Sequence, residues 1–327
     1  MPRAASASAC SVTVDRYRNH PLVSRVPKTD NSGNSRRPPV ARAPAFPKIY
    51  SGETAAKVEW HVLHGDADQA LSLIAPECVD CVVTSPPYFW LRDYGVSGQI
   101  GLEDTVGAYV SRLAEVFDKI FTALRPTGTV FLNLGDTYYS GKGKSHGRDS
   151  KSKKRRFGLR AVDKSGGMDI GIQRKSIIGI PWRVAQALGQ RGWVVRSPII
   201  WHRDKCLPEA VTDRPRRSYE FVFMLAKSRH YFFDRTPLIE RNIDEDVWTI
   251  SPRTQQNGRL DTAPFPEELV ERCLSIGCPP EGLVLDPFAG SGTTPLVAVR
   301  SGRPAIGIDV HRDLCRHMVA RLSQEFL

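Results

Sequence analysis

Apolar positions recur along this chain with two periods that take turns. Residues 58–63 alternate as a half-buried strand does, and Gly65-Asp66 turns the chain into a helix over 67–74. Residues 78–84 form an apolar run, read as a buried strand that stops at Pro86-Pro87. A proline doublet donates no backbone N–H and cannot continue a central strand or a helix interior. It therefore predicts a rigid loop at the C-terminal edge of a sheet, where open α/β folds place their ligands. Val110, Leu113, Ala114, Phe117, Ile120, Phe121 and Leu124 fall at helical spacing, closed by Pro126 and Gly128. The next strand is 129–134, followed by Gly135-Asp136; Pro181 then opens a helix that Gly192 closes. Stretches 193–201 and 219–225 are strand-like, with 231–233 a short third. Residues 267–276 read as a helix, 282–285 as a strand, 293–300 as a helix and 305–308 as a strand ending at Asp309.

Strands that alternate with helices predict an α/β fold with a doubly wound, mostly parallel sheet. Two stretches lack any hydrophobic period: 140–176 and the polar segment 234–260. At 327 residues the chain suits one large α/β domain, or one with a small appendage. No run approaches 18 apolar residues, so no membrane span is expected.

Charge changes the picture by where it lies. The net charge is +11, but residues 140–176 carry +9 and residues 1–50 carry +7, which leaves −5 for the rest. Basicity confined to two segments is what arms contacting a polyanion show. Residues 1–47 are rich in Arg, Ser, Ala and Pro and have no apolar signal core. They read as a disordered basic arm or as a mis-assigned start, although the composition also fits a transit peptide. Seven Cys, an odd number and scattered, support no disulfide framework and predict a reducing, cytoplasmic setting. Cys78-Val-Asp-Cys81 has metal-ligand spacing, but no second Cys/His pair matches it, so no metal is expected.

The chemistry sits in two motifs. One is Thr84-Ser85-Pro86-Pro87-Tyr88; the other is Asp286-Pro287-Phe288-Ala289-Gly290-Ser291-Gly292-Thr293-Thr294. The second lies between a strand and a helix, where glycines let backbone N–H groups approach a ligand and the helix dipole favours an anion. No Gly-Lys-Ser/Thr follows it, which excludes a P-loop, and the third glycine of a dinucleotide fingerprint is absent.

Together these motifs resemble the amino-methylating DNA methyltransferases that use S-adenosylmethionine, the N4-cytosine/N6-adenine family. The tetrad ahead of the cofactor motif is the order of its β group, and Gly98 to Glu103 resembles members from restriction–modification systems and prophages. The resemblance runs from about Trp60 to the C-terminus, apart from the basic insert. It implies a seven-stranded Rossmann-like methyltransferase sheet in permuted order, with the antiparallel hairpin within 193–233. It implies S-adenosylmethionine bound by residues 286–294, with Asp309 on the ribose hydroxyls and Asp66 near the adenine amine. Phe265 lies in a segment similar to the family's additional cofactor motif, although the preceding His is replaced by Asp261 or Thr262. Blocks 132–136, 180–183 and 200–203 are also similar to the family and fall in the half of the fold that would hold the base.

An exocyclic base amine is a poor nucleophile, because its lone pair is delocalised into the ring. Two aimed acceptors, Ser85 Oγ and the Pro86 carbonyl, would hold its hydrogens and favour a tetrahedral nitrogen. Tyr88 would offer a flat face to an extruded base. Direct transfer from a sulfonium needs no metal and no covalent enzyme intermediate. The chain has no Pro-Cys dipeptide of the kind that C5-methylating enzymes use. Within the family that the motifs resemble, Ser at the first tetrad position implies cytosine N4 rather than adenine N6, the nearest alternative. An RNA methyltransferase and an inactive DNA-binding relative stay open as more remote readings. Trp90 reads as core or as a lid.

For DNA, three candidates stand. They are Lys151, Lys153, Lys154, Arg155 and Arg156 in the basic insert; Arg214, Arg216 and Arg217; and 234–260 as a target-recognition segment. The expected organisation is a basic arm over 1–50 and a catalytic domain over 51–327. That domain is expected to work as a monomer on double-stranded DNA, beside a possible cognate endonuclease that forms no stable complex with it.

Overall fold

The computed structural model describes residues 47–91, 94–139, 170–205, 211–252 and 265–324. In chain order the elements are β1 (Lys48–Glu53), β2 (Glu59–His64), α1 (Ala67–Leu71), β3 (Val79–Thr84), α2 (Val106–Ala123) and β4 (Leu124–Leu134). Then come α3 (Ile180–Gln190), β5 (Val194–His202), β6 (Tyr219–Ala226), α4 (Thr236–Glu240) and β7 (Val247–Thr249). The last are α5 (Glu267–Gly277), β8 (Val284–Asp286), α6 (Thr293–Arg300), β9 (Ala305–Asp309) and α7 (Arg312–Gln324).

Among the described residues nine strands form one sheet in the order β1-β2-β9-β8-β3-β4-β6-β5-β7. The centre β2-β9-β8-β3-β4 is parallel, and β6 runs antiparallel to both β4 and β5. Seven of the eight strands read from the sequence are there, with the hairpin where expected, and the described sheet has nine strands rather than the seven that the resemblance implies. β1 adds at one edge by a hairpin onto β2, from Lys48 opposite His64 to Glu53 opposite Glu59. Part of the segment assigned to a basic arm is therefore edge strand. At the other edge β7 joins β5 in parallel, burying Trp248 between exposed Val247 and Thr249. Residues 231–233 form no strand; Phe232 N donates to Thr127 O at 2.8 Å instead.

Apolar side chains project from both faces of the sheet. Val79, Cys81, Val82 and Val83 of β3 are all buried, because helices cover both sides. α1, α2 and α3 pack on one face, around Leu63, Leu113, Phe117, Leu132 and Leu225. α5, α6 and α7 pack on the other, around Phe131, Met224, Leu269, Leu296 and Met318. Among the described residues no helix is long and apolar enough to cross a membrane. Cys78, Cys81, Cys273, Cys278 and Cys315 are buried thiols.

Candidate active site

β3 and β8 lie side by side, with Val82 opposite Leu285, so the two motifs leave the sheet at one edge. Thr84 Oγ1 donates to Asp286 Oδ1 at 2.7 Å, and Thr294 Oγ1 donates to the Val83 carbonyl at 3.2 Å. The tetrad and the glycine turn are thereby fastened together, 202 positions apart in sequence.

The turn from Asp286 to Gly292 is held by Phe288 N donating to Asp286 Oδ1 (3.0 Å) and Gly292 N donating to Ala289 O (2.8 Å). Gly292 has φ +83°, and a Cβ there would lie 2.4 Å from Met318 Cγ; both facts require glycine. Gly290 has φ +54° with nothing within 4 Å of a would-be Cβ, so its outer face is open. Thr293 Oγ1, at the start of α6, is buried without a hydrogen-bond partner, and no side chain caps that helix. An open glycine, an orphaned buried hydroxyl and an uncapped helix N-terminus fit a ligand carrying a carboxylate and polar atoms. Pro287 and Ser291 lie within this turn, and the Ser291 carbonyl accepts from Arg321 Nη1 at 2.7 Å.

Asp309 ends the neighbouring strand. Its Oδ2 accepts from Gly290 N (3.0 Å) and its Oδ1 from His311 N (2.7 Å). Burial pushes the Asp286 and Asp309 carboxyls each up to about 6, against the hydrogen bonds they accept. Asp66 stands one strand further out, where it caps α1 by accepting from Asp68 N at 2.9 Å. Phe288 is half-buried against the α1–α3 core, whereas Phe265 is buried in the α5–α7 core just ahead of α5.

Around the tetrad the structure adds residues that the sequence did not single out. Ser85 Oγ donates to Tyr88 Oη at 3.4 Å, and Tyr88 Oη lies 2.6 Å from Glu220 Oε2 and 3.1 Å from Asn133 Oδ1. Asn133 Nδ2 donates to Glu220 Oε2 (3.2 Å) and to the Phe221 carbonyl (3.1 Å). Arg203 Nη1 pairs with Glu220 Oε1 at 2.9 Å. The Tyr88 ring lies so close over Gly135 that a Cβ there would meet Cε2 at 2.6 Å. Burial, and then the Glu220 charge, push the Tyr88 hydroxyl well above the usual phenol range. Behind the loop, Tyr109 Oη donates to the Pro87 carbonyl at 2.8 Å. Trp90 is half-buried at φ +51°, and its Nε1 donates to Glu103 O at 2.7 Å; it packs on the core and also straps the loop after the tetrad. Asn133 and Arg203 fall in two of the blocks that resemble the family in this half of the fold. Glu220 had one signal, as the lone acid in Tyr-Glu-Phe-Val-Phe-Met-Leu-Ala.

Beside this network, Asp136 accepts from Thr137 N (2.8 Å), Gly179 N (3.0 Å) and Ile180 N (3.2 Å) and so caps α3. Arg214, Arg216 and Arg217 gather just before β6. The Arg214 guanidinium stacks 3.9 Å from the Tyr138 ring centroid, Arg216 is exposed, and Arg217 has buried Nε and Nη1 groups without hydrogen-bond partners. Lys151, Lys153, Lys154, Arg155 and Arg156 lie outside the described residues. Segment 234–260 holds α4 and β7 up to residue 252, and its remainder also lies outside them.

A mostly parallel sheet thus carries two loops at one edge, one glycine-rich and one proline-stiffened. The family model described as DNA methylase, for N6 and N4 modification, matches residues 79–320. The chain belongs to this family of S-adenosylmethionine-dependent amino-methyltransferases. It is 38% identical over 260 residues to the Type II methyltransferase M.SmaI of Serratia marcescens, covering 77% of this chain and 87% of that one. A Thermus thermophilus protein described as a DNA modification methylase, solved with S-adenosyl-L-methionine, is similar at TM-score 0.57 and 26% identity, covering 80% of this chain and 93% of that one. The cytosine-N4-specific PvuII DNA methyltransferase shares the fold at TM-score 0.61 and 21% identity, covering 83% of this chain and 90% of that one. S-adenosylmethionine is the cofactor of this protein.

Proposed function

We propose that this protein methylates the exocyclic N4 of a cytosine extruded from a specific site in double-stranded DNA. One observation carries the choice of base: the tetrad begins with Ser85, whose hydroxyl stands beside Tyr88 at the edge where the cofactor loop also emerges. Ser85 Oγ and the Pro86 carbonyl accept the amine hydrogens. Pro86 and Pro87 stiffen the backbone, and the Tyr109 bond to Pro87 pins it from behind. Tyr88 faces the base with its hydroxyl anchored inward by Glu220 and Asn133.

When bound, S-adenosylmethionine supplies an electrophilic methyl group on a sulfonium. Asp309 holds the ribose hydroxyls, Asp66 the region of the adenine amine, and residues 286–294 with the start of α6 hold the methionine end. Phe265 supports this cradle from the core. Arg214, Arg216, Arg217 and the basic insert with Lys151, Lys153, Lys154, Arg155 and Arg156 neutralise phosphates, while 234–260 contributes to target choice. We read residues 48–327 as one catalytic domain that acts as a monomer. Its biological role is to protect sites cut by a cognate endonuclease.

The test is mass spectrometry of nucleosides from unmethylated DNA incubated with the protein and methyl-labelled S-adenosylmethionine. Label in N4-methylcytosine is expected. Label in N6-methyladenine would keep the mechanism and overturn the choice of base.

A further inference from the structure

A carboxylate with its side chain only 13% exposed is costly to place beside a catalytic loop unless its oxygens are matched. Glu220 is matched by three donors. Tyr88 and Asn133 meet Oε2, and Arg203 meets Oε1, so both oxygens are matched. The hydrogen bonds also have a direction. Ser85 Oγ donates to Tyr88 Oη at 3.4 Å, and Tyr88 Oη donates to Glu220 Oε2 at 2.6 Å. With its own hydrogen turned toward Tyr88, Ser85 presents lone pairs on its remaining side, the acceptor geometry that an amine requires.

We propose that Ser85, Tyr88 and Glu220 form a proton relay that takes the proton released when the base amine is methylated. The proposal rests on the reading of Ser85 as the amine's acceptor, and it holds for cytosine or adenine. As the amine nitrogen bonds to the methyl carbon, the carbon–sulfur electron pair leaves on sulfur and nitrogen becomes cationic. It regains neutrality by losing one N–H proton to Ser85 Oγ. The Ser85 proton passes to Tyr88 Oη, and the Tyr88 proton passes to Glu220 Oε2. Each hydroxyl ends as it began, and Glu220 ends neutral, to be deprotonated by solvent. Tyr88 holds its proton tightly, so it gives one up only as it receives another. Glu220 works through its neighbours, as a positioning residue for Tyr88 and as the end of the relay. Asn133 steadies this pair, its Nδ2 donating to Glu220 Oε2 at 3.2 Å while its Oδ1 lies 3.1 Å from Tyr88 Oη.

The experiment is single-turnover methyl transfer to unmethylated phage DNA with tritium-labelled S-adenosylmethionine, as a function of pH. It compares the wild type with Glu220→Gln, Glu220→Asp and Ser85→Ala. Cofactor affinity by calorimetry and thermal unfolding are measured alongside. Glu220→Gln keeps the shape but cannot take a proton. It should lower the rate by roughly 10²-fold, the scale of general acid–base effects, with cofactor affinity kept. Its residual rate should climb with pH more steeply than the wild-type rate, as solvent base replaces the carboxylate, and Glu220→Asp should recover part of the loss. A Glu220→Gln rate equal to wild type, or a loss that is the same at every pH, overturns the relay and leaves Glu220 a structural clamp. Undiminished transfer by Ser85→Ala overturns the acceptor reading itself, and the relay with it. Loss in Ser85→Ala beside a normal Glu220→Gln overturns the relay alone.

Discussion

Asp309 accepts from two backbone N–H groups, yet burial still pushes its carboxyl up to about 6. A carboxylate accepts a ribose hydroxyl better than the protonated acid does. Cofactor affinity should therefore be fully expressed above about pH 6 and weaken as pH falls through that value. Asp309→Ala should bind the cofactor more weakly at neutral pH and lose this step; calorimetry with S-adenosylmethionine across mildly acidic and neutral pH checks both. The same shift acts on folding with the opposite sign. An unfolded Asp titrates near 3.9, so the folded chain binds more protons between about pH 4 and pH 6. The ligand-free protein should lose stability as pH rises through that window. Asp286, raised to about 6 and only 2% exposed, contributes in the same direction as Asp309. Each costs at most roughly 2–3 kcal/mol once ionised.

At the scale of elements, α2 serves the site from behind. Thr105 caps its start by accepting from Ala108 N at 3.0 Å, which places Tyr109 one turn in, against the Pro87 carbonyl. Tyr109→Phe should lower thermal stability by about 1 kcal/mol, the net worth of one hydrogen bond. It should also slow methyl transfer more than it weakens cofactor binding, because the proline loop loses its rear support; melting curves and single-turnover rates test this. The helix itself is plain in the sequence, since its apolar stripe is long and periodic. β3, β8 and α6 are equally legible, because burial on both faces leaves little choice of residue type. The edges of the sheet are not. β7 is three residues long, too short for a period to register, and β1 hides its alternation within a segment marked by basic residues. α7 buries Leu314, Cys315, Met318 and Leu322 at helical spacing but lies beyond the last of the motifs. The motifs identified the Ser85 loop and the glycine turn by residue type alone. Glu220 and Tyr109 could not be found that way, because their roles come from tertiary placement: β6 folds antiparallel onto β4 and carries Glu220 to Tyr88.

For the whole molecule the net charge of +11 misleads, because outside residues 1–50 and 140–176 the chain is net negative. Within that acidic body, Arg214, Arg216 and Arg217 form a local basic strip directly ahead of β6, the strand that carries Glu220. One strand edge thus joins this basic strip to the Tyr88 loop, an arrangement that suits the proposed grip on duplex DNA while one nucleotide leaves the stack. Changing Arg214, Arg216 and Arg217 to Gln should flatten the log–log salt dependence of DNA binding by about 0.9 for each phosphate that the variant no longer neutralises. Fluorescence anisotropy on a labelled duplex over a salt series measures the slope, and an unchanged slope means that the strip touches no phosphate. Phosphate contacts carry no sequence information, so affinity should fall by the same factor on random and target DNA. Arg217 is where a departure would show, since its buried Nε and Nη1 have no hydrogen-bond partner. If Arg217→Gln alone lowers discrimination between the two duplexes while the salt slope holds, those donors meet a base edge rather than the backbone.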